Sequence, residues 1–247
     1  MRNEHDLKGP TRSVIVCSTP RSGSWLLAEL LEQTDRCGHP REYFRPDYER
    51  TYARAWGLSP TYTFGDYVDE VLRRGSTRNG VFAMKLHWPQ YVYLCGRLKA
   101  SSDARPTDVL GPHFPEPTYV FLRRADKAAQ AVSWFRAIRT DRWWDTGASD
   151  DTPAPTLDLS AITELERRLV DQEERWEAAL HTDPAPRVDV DYESLSMDYA
   201  DTAIRVLSLL GQPRSCAPRA PRDLRKQADS LSRAWVRQLL DQREMTR

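Results

Sequence analysis

Apolar positions along the chain fall into two rhythms. Four short runs dense in β-branched and aromatic residues read as buried strands: Ser13–Ser18 (SVIVCS), Gly80–Leu86 (GVFAMKL), Thr118–Arg124 (TYVFLRR) and Arg187–Asp191 (RVDVD). Between them the spacing turns helical. Trp25–Gln33 places Leu26, Leu27, Leu30 and Leu31 on one face, and Thr163–Leu180 does the same with Leu165, Leu169, Trp176 and Leu180 opposite a charged face. Asp126–Arg139, with Asp126 as a candidate N-cap, and Tyr199–Leu210 complete the set. Strands alternating with helices predict βαβ units and an α/β fold, a parallel central sheet flanked by helices on both sides. The stretch 141–160 interrupts the pattern with proline, glycine and acidic residues, and reads as a surface excursion within one domain spanning 1–247.

Composition narrows the function classes. The 247 residues carry 36 basic and 36 acidic side chains, which excludes a binder of polyanions or membrane surfaces by bulk electrostatics; no nucleic-acid or membrane partner is expected. The longest apolar run, Tyr91–Cys95, is too short to span a bilayer, and Met1–Pro10 is too polar for a signal peptide, so a cytoplasmic protein is expected. Cys17, Cys37, Cys95 and Cys216 form no CxxC pair, which argues against a zinc site or a disulfide scaffold. Arginine outnumbers lysine 31 to 5. The guanidinium fork suits phosphate and sulfate, but GC-rich coding gives the same ratio, so only arginines in a specific context count. Neutrality also hides an asymmetry, because residues 141–201 alone hold 5 basic and 17 acidic groups.

The first predicted strand runs into Ser18-Thr19-Pro20-Arg21-Ser22-Gly23-Ser24-Trp25 and then a helix. A small-residue turn between strand and helix gathers backbone N–H groups and the positive end of a helix dipole at one point, which makes an anion site. Arg21 adds a charged fork, and Ser22 and Ser24 add hydroxyls. An ordinary βα turn is the equal alternative for this segment taken alone. The nucleotide-phosphate pattern GxxxxGK[ST] is absent. A second anion contact is open to Arg124 at the third strand end and Ser133 nine residues on, although each alone reads as a solvated charge and a buried helix serine.

The segments TPRSGSWLLAELL, GHPREYF, GVFAMKLHW, FLRRADKAAQAVSWFRAIRT, VDVDYESL and RKQADSLSRAW, in that order, resemble the bacterial trehalose sulfotransferase family. Those are P-loop-type sulfotransferases that use 3′-phosphoadenosine 5′-phosphosulfate as donor and need no metal. The resemblance implies that Arg21, Ser22, Gly23, Ser24 and the adjoining Trp25 hold the 5′-phosphosulfate, with Arg124 and Ser133 on the 3′-phosphate. It implies Tyr192 on the nucleotide side, and a C-terminal segment with Lys226, Gln227, Ala228 and Asp229 closing over the donor. Two departures stand out: Lys226 replaces an arginine, and Trp25 stands where the family usually has a hydroxyl residue. A homodimer is expected by resemblance alone.

Sulfuryl transfer to a hydroxyl needs a base and cations on the sulfonate oxygens. Glu42 in GHPREYF matches the family's proposed base, and flanking Tyr43 and Phe44 are expected to desolvate it and raise its pKa. His39 and His87 compete for the role, because histidine titrates near neutral pH; for His87 a polar strand-end residue is the favoured reading. Resemblance places Lys85 and Trp88 toward the acceptor, with Lys85 helping the sulfonate; a core role for Trp88 is equally open. His39, Phe44, Arg136, Trp143 and Trp144 are further acceptor-side candidates. The segment after Trp144 departs from the trehalose enzymes, which leaves the acceptor a hydroxyl of a small metabolite, a sugar or glycosylated natural product. Two alternatives are a kinase-like phosphotransferase and a non-catalytic nucleotide-binding module.

Overall fold

The computed structural model describes residues 9–143, 155–220 and 230–245. In chain order these form β1 (Arg12–Ser18), α1 (Ser24–Gln33), α2 (Glu49–Ala55), α3 (Phe64–Gly75), β2 (Val81–His87), α4 (Trp88–Arg97), α5 (Pro106–Leu110), β3 (Pro117–Arg123), α6 (Lys127–Thr140), α7 (Leu159–His181), β4 (Arg187–Asp191), α8 (Tyr192–Met197), α9 (Tyr199–Leu209) and α10 (Ser230–Met245). The four predicted strands form one sheet in the order β2-β1-β3-β4, every neighbouring pair parallel.

Period-two alternation sorts the strand side chains into two cores. Ile15, Cys17, Phe82, Met84, Leu86, Tyr119 and Phe121 face one side and pack with Phe44, Tyr67, Tyr91, Trp176 and Leu180. Val14, Val16, Ala83, Val120, Leu122, Val188 and Val190 face the other and pack with Leu27, Leu30 and Leu31 of α1 and Val206 and Leu207 of α9. Both faces are apolar because helices cover both, as parallel sheets require. A third cluster joins α6, α7 and α10 through Phe135, Leu169, Trp235 and Leu239.

The registers bring the carboxyl ends of the strands together. Ser18 lies beside His87, Cys17 beside Phe121, and Arg123 beside Asp191. In open α/β sheets this end carries the ligand crevice. The boundaries of β2 and β3 differ by one residue from expectation, and α7 starts four residues earlier, where Asp158 caps Ala161 N–H. Most of the expected excursion, and Trp144, lie outside the described residues, as do Lys226, Gln227, Ala228 and Asp229.

Candidate active site

The turn between β1 and α1 is wound tightly. Arg21 and Gly23 both take left-handed backbone angles, φ 62° and 89°. At Gly23 a Cβ would stand 2.4 Å from Cδ2 of Tyr192, so glycine is required by both backbone and space. Two buried side chains hold the turn from outside. Gln130 of α6 donates through Nε2 to Thr19 Oγ1 (2.9 Å) and to the Pro20 carbonyl (2.7 Å), and Trp176 of α7 donates through Nε1 to the Ser18 carbonyl (3.1 Å). Ser22 is fully buried and its hydroxyl donates to the Thr19 carbonyl at 2.8 Å, bracing the turn rather than facing the crevice as expected.

Arg21, Arg124 and Ser133, 112 residues apart at the extremes, meet here. Arg21 Nε donates to Ser133 Oγ at 2.9 Å and its guanidinium also donates to the Trp143 carbonyl. Arg124 donates to the Arg21 carbonyl at 3.2 Å and lies over the Tyr192 ring at 4.7 Å. Burial, and then repulsion from Arg124, push the Arg21 guanidinium down to about 10, so it stays cationic at neutral pH. The Nε of Arg124 is buried with no hydrogen-bond partner. Two adjacent guanidinium groups and an unsatisfied donor form a cradle that a multiply charged anion would complete.

Beside it lies an acid–base cluster from β2, α4 and the segment after α1. Glu42 Oε1 pairs with Lys85 Nζ at 2.9 Å and lies 3.6 Å from His87 Nε2, while Oε2 accepts from Gln90 Nε2 at 2.7 Å. Burial by itself raises the Glu42 pKa, but the charges of Lys85 and His87 and the hydrogen bonds from Lys85 and Gln90 outweigh it and hold the carboxyl at about 2. This corrects the expected upward shift. Tyr43 and Phe44 turn into the core instead: Tyr43 stacks on Phe82, and Phe44 meets Phe64, Tyr67 and Phe114 edge-on. Burial lowers the His87 pKa while the nearby Glu42 carboxylate opposes that shift, and its Nδ1 lies 3.1 Å from Ser18 Oγ.

One cavity of about 1560 Å³ joins these parts; Arg21, Gly23, Ser24, Trp25, Arg124, Ser133 and Tyr192 line it together with Glu42, Lys85, His87 and Trp143. Other expected site residues fall elsewhere. Phe44 is 1% exposed and belongs to the core, and so does Trp88, packed edge-on against Trp176 with centroids 5.1 Å apart. His39 pairs with Glu32 at 3.2 Å and is not on the cavity wall; Arg136 reaches Ser232 and is not on it either. Sequence reasoning undervalued His87 and missed Gln90 and Gln130. Gln90 had a signal, since it stands three residues after the His87 N-cap and its Oε1 accepts from His87 N–H (2.9 Å) in a capping box. Among the described residues no group of three or more His, Cys, Asp or Glu could hold a metal ion, and no helix is long and apolar enough to cross a membrane.

A parallel sheet whose first βα turn and neighbouring strand ends close on an anion cradle, next to a half-buried carboxylate paired with a buried ammonium, defines a group-transfer protein of the P-loop-like class. Within that class, residues 13–242 match the Stf0 sulphotransferase family model, and the chain belongs to this family. A trehalose 2-sulfotransferase of Mycolicibacterium smegmatis is 30% identical over 259 residues, covering 90% of this chain and 92% of that protein. One from Mycobacterium tuberculosis is 31% identical over 253 residues, covering 91% and 93%. A sulfotransferase from Alicyclobacillus acidocaldarius has the same fold, with a TM-score of 0.50 and 11% identity over 97% of this chain and 96% of that one. The protein is therefore a sulfotransferase, and the phosphotransferase and non-catalytic alternatives give way.

Proposed function

We propose that the protein moves a sulfonate from 3′-phosphoadenosine 5′-phosphosulfate to a hydroxyl of a sugar or a glycosylated small metabolite, with Glu42 as the base. The observation that carries this reading is the Arg21–Arg124–Ser133 cradle, with its unsatisfied Arg124 Nε, in one cavity with the Glu42–Lys85 pair. Arg124 and Ser133 take the 3′-phosphate; Arg21, Ser24 and the N–H groups of the turn take the 5′-phosphosulfate, and Tyr192 borders the nucleotide. The names of the mycobacterial relatives support a sugar hydroxyl as acceptor. The family match, spanning 13–242, supports reading 1–247 as one sulfotransferase domain.

In the transfer, the acceptor oxygen forms a bond to sulfur while the bond from sulfur to the bridging phosphate oxygen breaks. That electron pair leaves on adenosine 3′,5′-bisphosphate, and the hydroxyl proton passes to Glu42. A carboxylate held at about 2 is a weak base. Lys85 supplies the remedy, because a sulfonate arriving near it shares its charge and loosens its hold on Glu42, and burial then raises the proton affinity of the carboxylate. The cavity exceeds the roughly 300–1,000 Å³ usual for one ligand, which leaves room for donor and acceptor in line. Glu42→Gln tests the base: bisphosphate affinity is expected to persist while the transfer rate falls at least about a hundredfold. An undiminished rate removes Glu42 from the role.

A further inference from the structure

The family resemblance puts Trp25 with the donor, but its nearest cations are Lys85 and Arg41, on the side of the proposed base. It is the second residue of α1, and at 41% exposure it presents its indole to the cavity. Lys85 Nζ lies 5.4 Å from the indole centroid and Arg41 Cζ 5.3 Å from it. The same Lys85 ammonium pairs with Glu42 at 2.9 Å, which links the indole to the proposed base through one shared neighbour. The wall continues through Tyr48, 38% exposed under the Arg45 guanidinium at 4.2 Å, and Tyr52 packed edge-on against it at 6.0 Å.

This wall mixes flat aromatic faces with polar side chains. Aromatic faces suit the C–H face of a sugar ring, and Arg45, Asp47 and Gln90 offer hydrogen-bond partners to ring hydroxyls from the same cavity. Arg45 pairs with Asp47 at 3.3 Å and Gln90 donates to Glu42, so the polar part of the wall is already organised for a hydroxylated ligand. We infer that Trp25 is a specificity-determining residue on the acceptor side, a platform on which the acceptor's sugar ring stacks with a hydroxyl directed at Glu42. The inference rests on the sugar-sulfotransferase reading above and adds to it the residue that selects the ring.

The test compares Trp25→Phe and Trp25→Ser with the unmodified protein. Donor-side affinity is measured by calorimetry with adenosine 3′,5′-bisphosphate, and acceptor KM with trehalose and a panel of methyl pyranosides. The expected result is an acceptor KM raised about tenfold in Trp25→Ser and largely restored in Trp25→Phe, with bisphosphate affinity unchanged in both. Weakened bisphosphate binding with an unchanged acceptor KM overturns the inference and returns Trp25 to the anion turn. Sulfation of no pyranoside by the unmodified protein overturns the sugar reading itself, and this inference with it.

Discussion

At Glu42, burial and charge pull in opposite directions, and the balance sets a response to acid. Its folded-state pKa, about 2, lies below the ordinary 4.5, so its ion pair contributes stability that is fully present above 4.5 and lost as pH falls toward 2. Thermal melts across that window are expected to fall more steeply for the unmodified protein than for Glu42→Gln; parallel curves would show that the pair contributes nothing there. Lys85→Met removes the cation that opposes burial. The Glu42 pKa then rises, and the stability lost at neutral pH, about 1–3 kcal/mol for a half-buried carboxylate left without its cation, is regained in part as acid protonates the carboxyl. A Lys85→Met protein that loses stability steadily with falling pH would contradict this. Sequence type alone did not reveal this local balance. Tyr43 and Phe44 are the right residues to desolvate a neighbour, but their side chains point into the core while Glu42 points toward β2 and α4.

The strand–turn–helix element around Arg21 was legible because its signals are local: a β-branched run, small residues, then leucines at helical spacing. What holds the turn was not legible, since Gln130 reaches it across 111 residues, and a glutamine on a helix carries no mark of its partner. Its loss is an element-scale test. Gln130→Leu leaves the buried Thr19 hydroxyl and the half-buried Pro20 carbonyl without their donor, a cost of about 1–3 kcal/mol. Calorimetry is expected to show bisphosphate binding weakened about tenfold as the turn relaxes. Unchanged affinity would mean the turn keeps its shape unaided. Gly23→Ala acts on the same element from inside, by forcing Tyr192 away; a variant that keeps native bisphosphate affinity would show that the close approach is dispensable. The same limit explains Trp88. An aromatic after a strand suits a sugar or a core equally, and the choice is made by α7, whose Trp176 comes from 88 residues away.

Across the whole molecule, the zero net charge describes no single surface. The fold brings the Arg21 and Arg124 guanidinium groups together where β1 and β3 end, while the charged face of α7 pairs part of its charge internally, as in Glu164–Arg167 and Asp171–Arg175. The parallel sheet with helices on both sides was readable because strands alternate with helices along the chain; the strand order β2-β1-β3-β4 was not, since it is set by contacts between distant segments. Short helices such as α2 and α5 were not, being fixed by packing more than by pattern. The central claim is that this concentration of charge is a seat for the donor. Titration calorimetry with adenosine 3′,5′-bisphosphate, beside ATP with magnesium, measures it directly in the unmodified protein and in Arg124→Met. The expected result is one site for the bisphosphate, preferred over ATP and weakened at least about a hundredfold in Arg124→Met, by loss of a charge-assisted contact. Equal or tighter binding of ATP with magnesium, or an Arg124→Met protein that binds the bisphosphate as before, would contradict it.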